Sequence, residues 1–396
     1  MSAQHIVSSL ADPITRRRAL TLALAAGAGS ALGGTALGGT ASASATTQAA
    51  PPTGQWNDVP IPSDTAPQLF GVAAPTPHHA FAFGQHSWQD KEVTTALHWN
   101  GREWLHKDVP PIKWTWYLDV AAASPYGAWV VGLTHREQLP VGLYWNGFRW
   151  REAPLPRTGT GGISSPPAVS AEPGGTAWAV LSEGPAAGQS SVLRFEHGAW
   201  VRKASPTLPE GSQLVTIAVR SPWDVWVGAA GPSSGGESFT FHWDGRSWTR
   251  QSMPGSTVPS WGSMDILPVS RNEVWAYVGG GSSQQQLFRL DGDVWTKATS
   301  VPRYGMFPMP YGGSLVSDRN GGVWLPALGE SVGSGRTGYL HWNGTEWGRL
   351  LGPMRDTSIG FVEAQDMVAI PGTRSMWAVG VQGTGVKPFI ERFDPR

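Results

Sequence analysis

Two aspartates, Asp119 and Asp265, stand at one position of an internal repeat, immediately before an apolar marker that other copies precede with Gly71, Ala168, Thr216, Ser314 and Met367. Paired carboxylates facing each other across a tunnel suit glycoside chemistry, one as general acid and the other as base or nucleophile. Glu363 and Asp366, beside the seventh copy of the marker, extend this set of candidate acid–base groups. The same residues have a plainer use, because a carboxylate on an inner strand accepts hydrogen bonds from amides or channel water. His78-His79 with His86 is the nearest approach to a metal cluster, and such a histidine pair in a turn is more often solvated than ligating. Neither a metal nor another cofactor is implied. The chain has no Gly-x-Ser-x-Gly elbow, His-Glu-x-x-His, phosphate loop or EF-hand loop.

Aromatic residues supply the other chemistry. Of 22 tryptophans, 17 recur at repeat positions, where a large flat side chain fills the wedge between neighbouring sheets. Five are left over: Trp88, Trp114, Trp116, Trp223 and Trp261. Trp88 falls in a connection between the second and third strands of its repeat, and Trp114, Trp116 and Trp261 in connections between repeats. Where such repeats are arranged in a ring, these two kinds of connection emerge on one face, here called the top. Trp223, in a first-to-second turn, belongs to the bottom face. Tyr304 and Tyr311 add aromatic surface to the top, and His86 and Arg136 add polar groups. Exposed rings beside polar side chains hold neutral ligands, sugars above all, without charge. Rings that plug the tunnel mouth are the alternative.

The repeat itself predicts the elements that position these residues. An aromatic residue closes a short apolar strand at Phe81, Trp129, Trp178, Trp226, Trp275, Trp324 and Trp377, at intervals of 48, 49, 48, 49, 49 and 53 residues. Nine positions before each lie Val72, Val120, Val169, Ile217, Ile266, Leu315 and Val368. A second marker follows each aromatic, as in His98-Trp99-Asn100-Gly101, Tyr144-Trp145-Asn146-Gly147 and His341-Trp342-Asn343-Gly344. Asn-Gly accepts positive φ at both centres of a type I′ turn, so each marker predicts a tight hairpin. Prolines such as Pro110, Pro154, Pro206 and Pro254 then stop a strand at the sheet's outer edge.

Each repeat therefore holds four short strands: an apolar first, a second ending near the aromatic marker, a third ending at the hairpin, and a fourth begun by the last Trp. Seven such units predict an all-β fold, a seven-bladed β-propeller of four-stranded antiparallel blades. Residues 54–60 read as a fourth strand with nothing before it, and residues 389–396 as a third strand with no fourth. Pairing of the two is expected to complete blade seven and close the ring, removing an open sheet edge.

The copies Asp224-Val225-Trp226-Val227-Gly228 and Met376-Trp377-Ala378-Val379-Gly380, with the His-Trp-Asn-Gly, Trp and proline of the repeat, resemble kelch and galactose-oxidase-like propellers. They resemble most the repeats of secreted actinobacterial propellers, over residues 54–396. The resemblance implies seven blades and secretion. It carries no catalytic residue, because the copper radical of galactose oxidase needs a tyrosine joined to a cysteine and this chain has no Cys.

Residues 1–45 read as a signal peptide: Arg16-Arg17-Arg18 precedes a weakly apolar Ala/Gly/Leu run and small-residue cleavage sites such as Ala43-Ser44-Ala45. The arginines point to twin-arginine export, with an uncleaved anchor as the alternative. Residues 46–53 form a linker, and 54–396 the propeller. Without Arg16, Arg17, Arg18 and Asp12, 26 basic and 28 acidic residues remain, a near-neutral surface with no footprint for nucleic acid or anionic lipid. The expected protein is a secreted monomer that binds a neutral carbohydrate or a protein partner through its top face. A polysaccharide hydrolase or lyase built on Asp119, Asp265, Glu363 or Asp366 is the rival reading, and a purely structural interaction protein the third.

Overall fold

The computed structural model describes residues 53–65, 68–88, 91–112, 115–134, 137–157, 162–184, 189–232, 236–256, 258, 262–280, 285–302, 314–327, 335–355, 362–383 and 387–396. The segment read as an export signal lies outside them. The described residues form seven four-stranded antiparallel sheets, in strands spanning 69–107, 115–152, 163–203, 213–252, 262–300, 316–351, and 362–395 with 54–58. Strands run outward in chain order within a blade. Each blade's first strand touches the first strand of the next, and blade seven's touches blade one's, so the ring closes around an axis lined by first strands.

Closure follows the expected route. The N-terminal strand Gly54–Asp58 is the outer strand of blade seven and pairs antiparallel with Lys387–Pro395, with Trp56 opposite Phe393 and Asp58 opposite Glu391. The Val59 amide continues the ladder to the Ile390 carbonyl at 2.9 Å.

The core divides, among the described residues, into seven apolar clusters, one at each seam between neighbouring blades. Fourteen of the 17 repeat tryptophans are buried in these seams, and Trp243, Trp248 and Trp347 are half-buried. An antiparallel sheet that twists away from its neighbour leaves a widening gap, and an indole covers it with one side chain.

Two local expectations need correction. The marker aromatic opens the second strand instead of closing it: Trp129 is the third residue of Gly127–Thr134, all eight of which are buried. The reason is that the apolar run Val130-Val131-Gly132-Leu133 continues beyond the indole, between two neighbouring blades. Nor are the Asn-Gly hairpins two-residue type I′ turns. Trp99 pairs with Trp104 across a four-residue loop in which Gly101 has φ +94° and the Asn100 carboxamide accepts the amides of Arg102 and Glu103, both at 2.9 Å. Asn146, Asp244 and Asn343 do the same in their blades, so the Asn or Asp side chain, not its backbone, shapes the turn. His197-Gly198, with φ +53° and +88°, is the pair that takes the expected conformation.

One regularity of the ladder links these elements. The second-strand aromatic lies directly opposite a cationic or aromatic residue of the third strand in every blade: Phe81 and His98, Trp129 and Tyr144, Trp178 and Arg194, Trp226 and His242, Trp275 and Arg289, Trp324 and His341, Trp377 and Arg392. His242 stacks on Trp226 with centroids 4.2 Å apart, and the Arg289 guanidinium sits 5.5 Å from the Trp275 ring. Cross-strand π and cation–π pairs of this kind stabilise a sheet by about 0.5–1 kcal/mol each. The repeat histidines therefore serve the blades.

Candidate functional site

The aspartates meet on the ring's inner wall, and there are three of them. Asp119 lies opposite Val131, Asp265 opposite Tyr277, and Asp366 opposite Val379, each two residues before the partner of its blade's marker Trp. Counting back from Trp377 in the sequence makes Met367 the equivalent of Asp119, but the register gives that place to Asp366. The cause is the turn after Ala369, which is one residue longer than its counterparts and places Trp377 opposite Val368. Blades two, five and seven thus each send a carboxyl to the same level of the axis.

Each carboxyl ties its blade to the next. Asp119 Oδ2 accepts the Val169 amide of blade three at 2.8 Å, and Oδ1 the adjacent Val120 amide at 2.9 Å. Asp265 accepts Leu315 of blade six and Ile266, both at 2.8 Å. Asp366 accepts Val72 of blade one at 2.7 Å and Met367 at 2.8 Å, and takes the Ser314 hydroxyl of blade six at 2.5 Å. Blade three makes the same link with a hydroxyl, Ser170 Oγ accepting the Val219 amide of blade four at 3.0 Å. Glu363, on the first strand of blade seven, accepts the Gln365 carboxamide at 3.2 Å. Both oxygens of all three aspartates are therefore engaged with backbone donors, which is the geometry of a seam staple and not of a free acid–base pair.

Burial raises these groups. It pushes Asp119 up to about 6 against the pull of the Val169 and Val120 amides. Asp265 rises to about 7 through burial, opposed by the Leu315 and Ile266 amides and assisted by the charges of Asp119 and Asp366. Asp366 rises to about 7 for the same leading reason, opposed by Ser314 and its amides and assisted by Asp119. The folded protein thus holds protons here that the unfolded chain releases near pH 4. Their contribution is fully present below that pH and is lost as pH rises to about 7. Melting temperature is expected to fall between pH 5 and 8. Asp265→Asn should flatten that slope while costing about 1–3 kcal/mol, because its amide group sets a donor against a backbone donor. A pH slope identical in the variant would show that these carboxyls do not titrate in that range.

The aromatic candidates are distributed as follows. Trp88 and Trp116 belong to strand ends, not connections: Trp88 pairs with Lys91 as the last residue of His79–Trp88, and Trp116 pairs with Leu133 within Thr115–Ser124. The hairpin of blade one simply runs further out than the repeat suggested. His86, opposite Val93, lies on the same strand as Trp88. Trp114, Trp261, Tyr304, Tyr311 and Arg136 lie outside the described residues.

The bottom face is described throughout. Trp223 is 65% exposed there, and Tyr126 and Phe148 are exposed in the turns of blade two. Trp223 covers Gly245, whose added Cβ would stand 2.9 Å from the Trp223 Cβ, and Tyr126 covers Gly147 in the same way. Both residues lie against the glycine of the adjacent hairpin in their own blade. Among the described residues, no group of three His, Asp or Glu is placed to hold a metal.

No protein-family model matches the chain and no curated protein matches its sequence. Solved structures do resemble it. The lectin SapL1, in complex with α-methyl fucoside, aligns with a TM-score of 0.50 at 11% identity over 73% of this chain and 97% of its own. The lectin of Aleuria aurantia, a six-bladed propeller, gives 0.49 at 12% identity over 73% and 96%. A Dyadobacter fermentans protein of unknown function gives 0.46 at 9% identity over 86% and 98%. The likeness is one of fold.

Proposed function

We propose that the chain is an exported, monomeric propeller that binds a neutral carbohydrate, or a protein partner, through the aromatic residues of its top face, and that its repeat is of the kelch-like secreted type. The observation that supports this is the sorting of the tryptophans. All 17 repeat copies lie in the blades, 14 of them buried, whereas Trp114 and Trp261 fall outside the repeat positions of the sequence and Trp88 and Trp116 lie at strand ends. A fold that already fills every seam with an indole needs no further ones for its core. The hydrolase or lyase reading has no comparable support, since Asp119, Asp265 and Asp366 are spent on blade-to-blade hydrogen bonds.

A glycan array that includes fucosides, with parallel turnover assays, tests the proposal. Saturable binding without product release is expected, and Trp114→Ala or Trp116→Ala should weaken it by about 1–3 kcal/mol with the melting temperature unchanged. Trp223→Ala on the bottom face is the matched control. Equal losses from both faces, or product release, would defeat the reading. Export by the twin-arginine route belongs to the same proposal and is motivated by Arg16-Arg17-Arg18 ahead of a weakly apolar run. Replacing all three with lysine should keep the precursor in the cytoplasm, and normal secretion would refute that route.

A further inference from the structure

On the bottom face, blades six and seven form a shallow, open cleft. Its rim is two first-to-second turns, one carrying Arg319 and the other Arg374, and Trp324, His341 and Phe393 line its interior. The cleft plays no part in the top-face binding proposed above.

His341 is 2% exposed, and its two ring nitrogens differ in their surroundings. Nε2 lies 2.8 Å from Asp318 Oδ2, while Nδ1 is buried with no partner. Burial pushes the Asp318 carboxyl up, but the His341 bond and the amides of Asn320 and Gly322 outweigh it and hold it below the usual carboxylate range. Asp318 accepts the proton on Nε2, and in that tautomer Nδ1 is an unmet acceptor. Buried acceptors are normally paired, and this orphan belongs to a residue that lines the cleft, so a ligand hydroxyl would be its partner.

The rim supplies charge. Arg319 and Arg374 are both exposed, and neither side chain makes a hydrogen bond or ion pair among the described residues. Asp318, the one acid that lines the cleft, is already committed to His341 and two amides. Arg319 also has a φ of +60°, a left-handed conformation that glycine adopts freely and arginine only with strain. Two guanidinium groups without a partner among the described residues, on a cleft that His341 also lines, complement a molecule that carries both a carboxylate and hydroxyls. Arginine is the side chain whose planar fork matches a carboxylate.

We propose that this cleft binds an acidic sugar of the uronate type, its carboxylate held by Arg319 and Arg374 and a ring hydroxyl donating to His341 Nδ1. Titration calorimetry on the folded protein with the methyl glycosides of glucuronate and galacturonate, against those of glucose and galactose, tests it. At least one uronide should bind saturably and about tenfold or more tighter than its neutral counterpart. Arg319→Gly and Arg374→Gln should each weaken that binding by about tenfold, as expected for loss of a charge-assisted pair. Arg319→Gly should melt no lower than the parent, because it releases backbone strain, and so separates lost binding from lost fold. Absence of uronide binding, equal binding of acidic and neutral sugars, or uronide binding unchanged in both arginine variants would overturn the proposal. None of these outcomes bears on the top face, which Trp114→Ala reads separately.

Discussion

A chain that begins at residue 62 is expected to lose most of its stability, and Trp56→Ala in the full chain about 3–5 kcal/mol of it. Trp56 is 4% exposed and stacks on Tyr339 of blade six with ring centroids 3.8 Å apart and planes 14° from parallel. One indole therefore packs blade seven against blade six while its own strand completes blade seven. Truncation removes that indole and the ladder from Gly54 to Asp58, and leaves the strand Lys387–Pro395 as a bare sheet edge open to pairing with other chains. Urea denaturation measures the first effect and light scattering the second. A peptide of residues 53–61 added to the truncated protein should restore part of the lost stability. If truncation and Trp56→Ala both leave the unfolding midpoint where it was, the clasp does not hold the ring.

The ring was legible because its signals are local and repeated. An aromatic every 48 to 53 residues, and in most blades an Asn or Asp before glycine in the following hairpin, each report a short-range geometry that no distant contact overrides. The closure was legible for the complementary reason, since a strand lacking its neighbour at each end of the propeller has one economical partner. What escaped depends on single-residue phase. The run after Trp129 is apolar on both sides because second strands lie between blades, so periodicity could not mark where the strand began. One extra residue in one turn shifts Asp366 out of phase with Asp119 and Asp265, so sequence spacing shows two inner carboxyls where the ring has three.

The job of those carboxyls was out of reach for a different reason. The partner of Asp119 is Val169 and that of Asp265 is Leu315, each fifty residues on, and Asp366 reaches back across the closure to Val72. Only the assembled ring brings an acceptor on one blade to a free amide on the next. His341 shows the same limit at one position. It packs on Trp324 with centroids 4.5 Å apart, as its place in the ladder requires, but only the neighbouring turn of blade seven turns its surroundings into a cleft.

The second large effect is expected at Arg355, where Arg355→Ala should cost about 3–5 kcal/mol. Glu391, at the centre of the clasp, has a side chain with no exposure. It accepts the Thr337 hydroxyl at 2.8 Å and the Tyr339 hydroxyl at 2.5 Å from blade six, and pairs with Arg355 at 2.6 Å. Arg355 reaches on to Asp58 of the N-terminal strand and lies 4.1 Å from the Phe389 ring, so one guanidinium joins both strands of the clasp to blade six. Burial pushes the Glu391 carboxyl up, and Arg355 with the two hydroxyls pulls it back. Without the arginine, burial is opposed by the hydroxyls alone, and the group must either take up a proton or hold an uncompensated charge in the core. Glu391→Gln removes that charge and keeps an acceptor for Thr337 and Tyr339, so it should cost less than Arg355→Ala. The variant Arg355→Ala should also regain more stability than the parent protein does as pH falls towards 5, because protonation relieves its orphaned carboxylate. Equal losses in the two variants, with no such pH dependence, would mean that Arg355 acts through its packing on Phe389 and not through its charge.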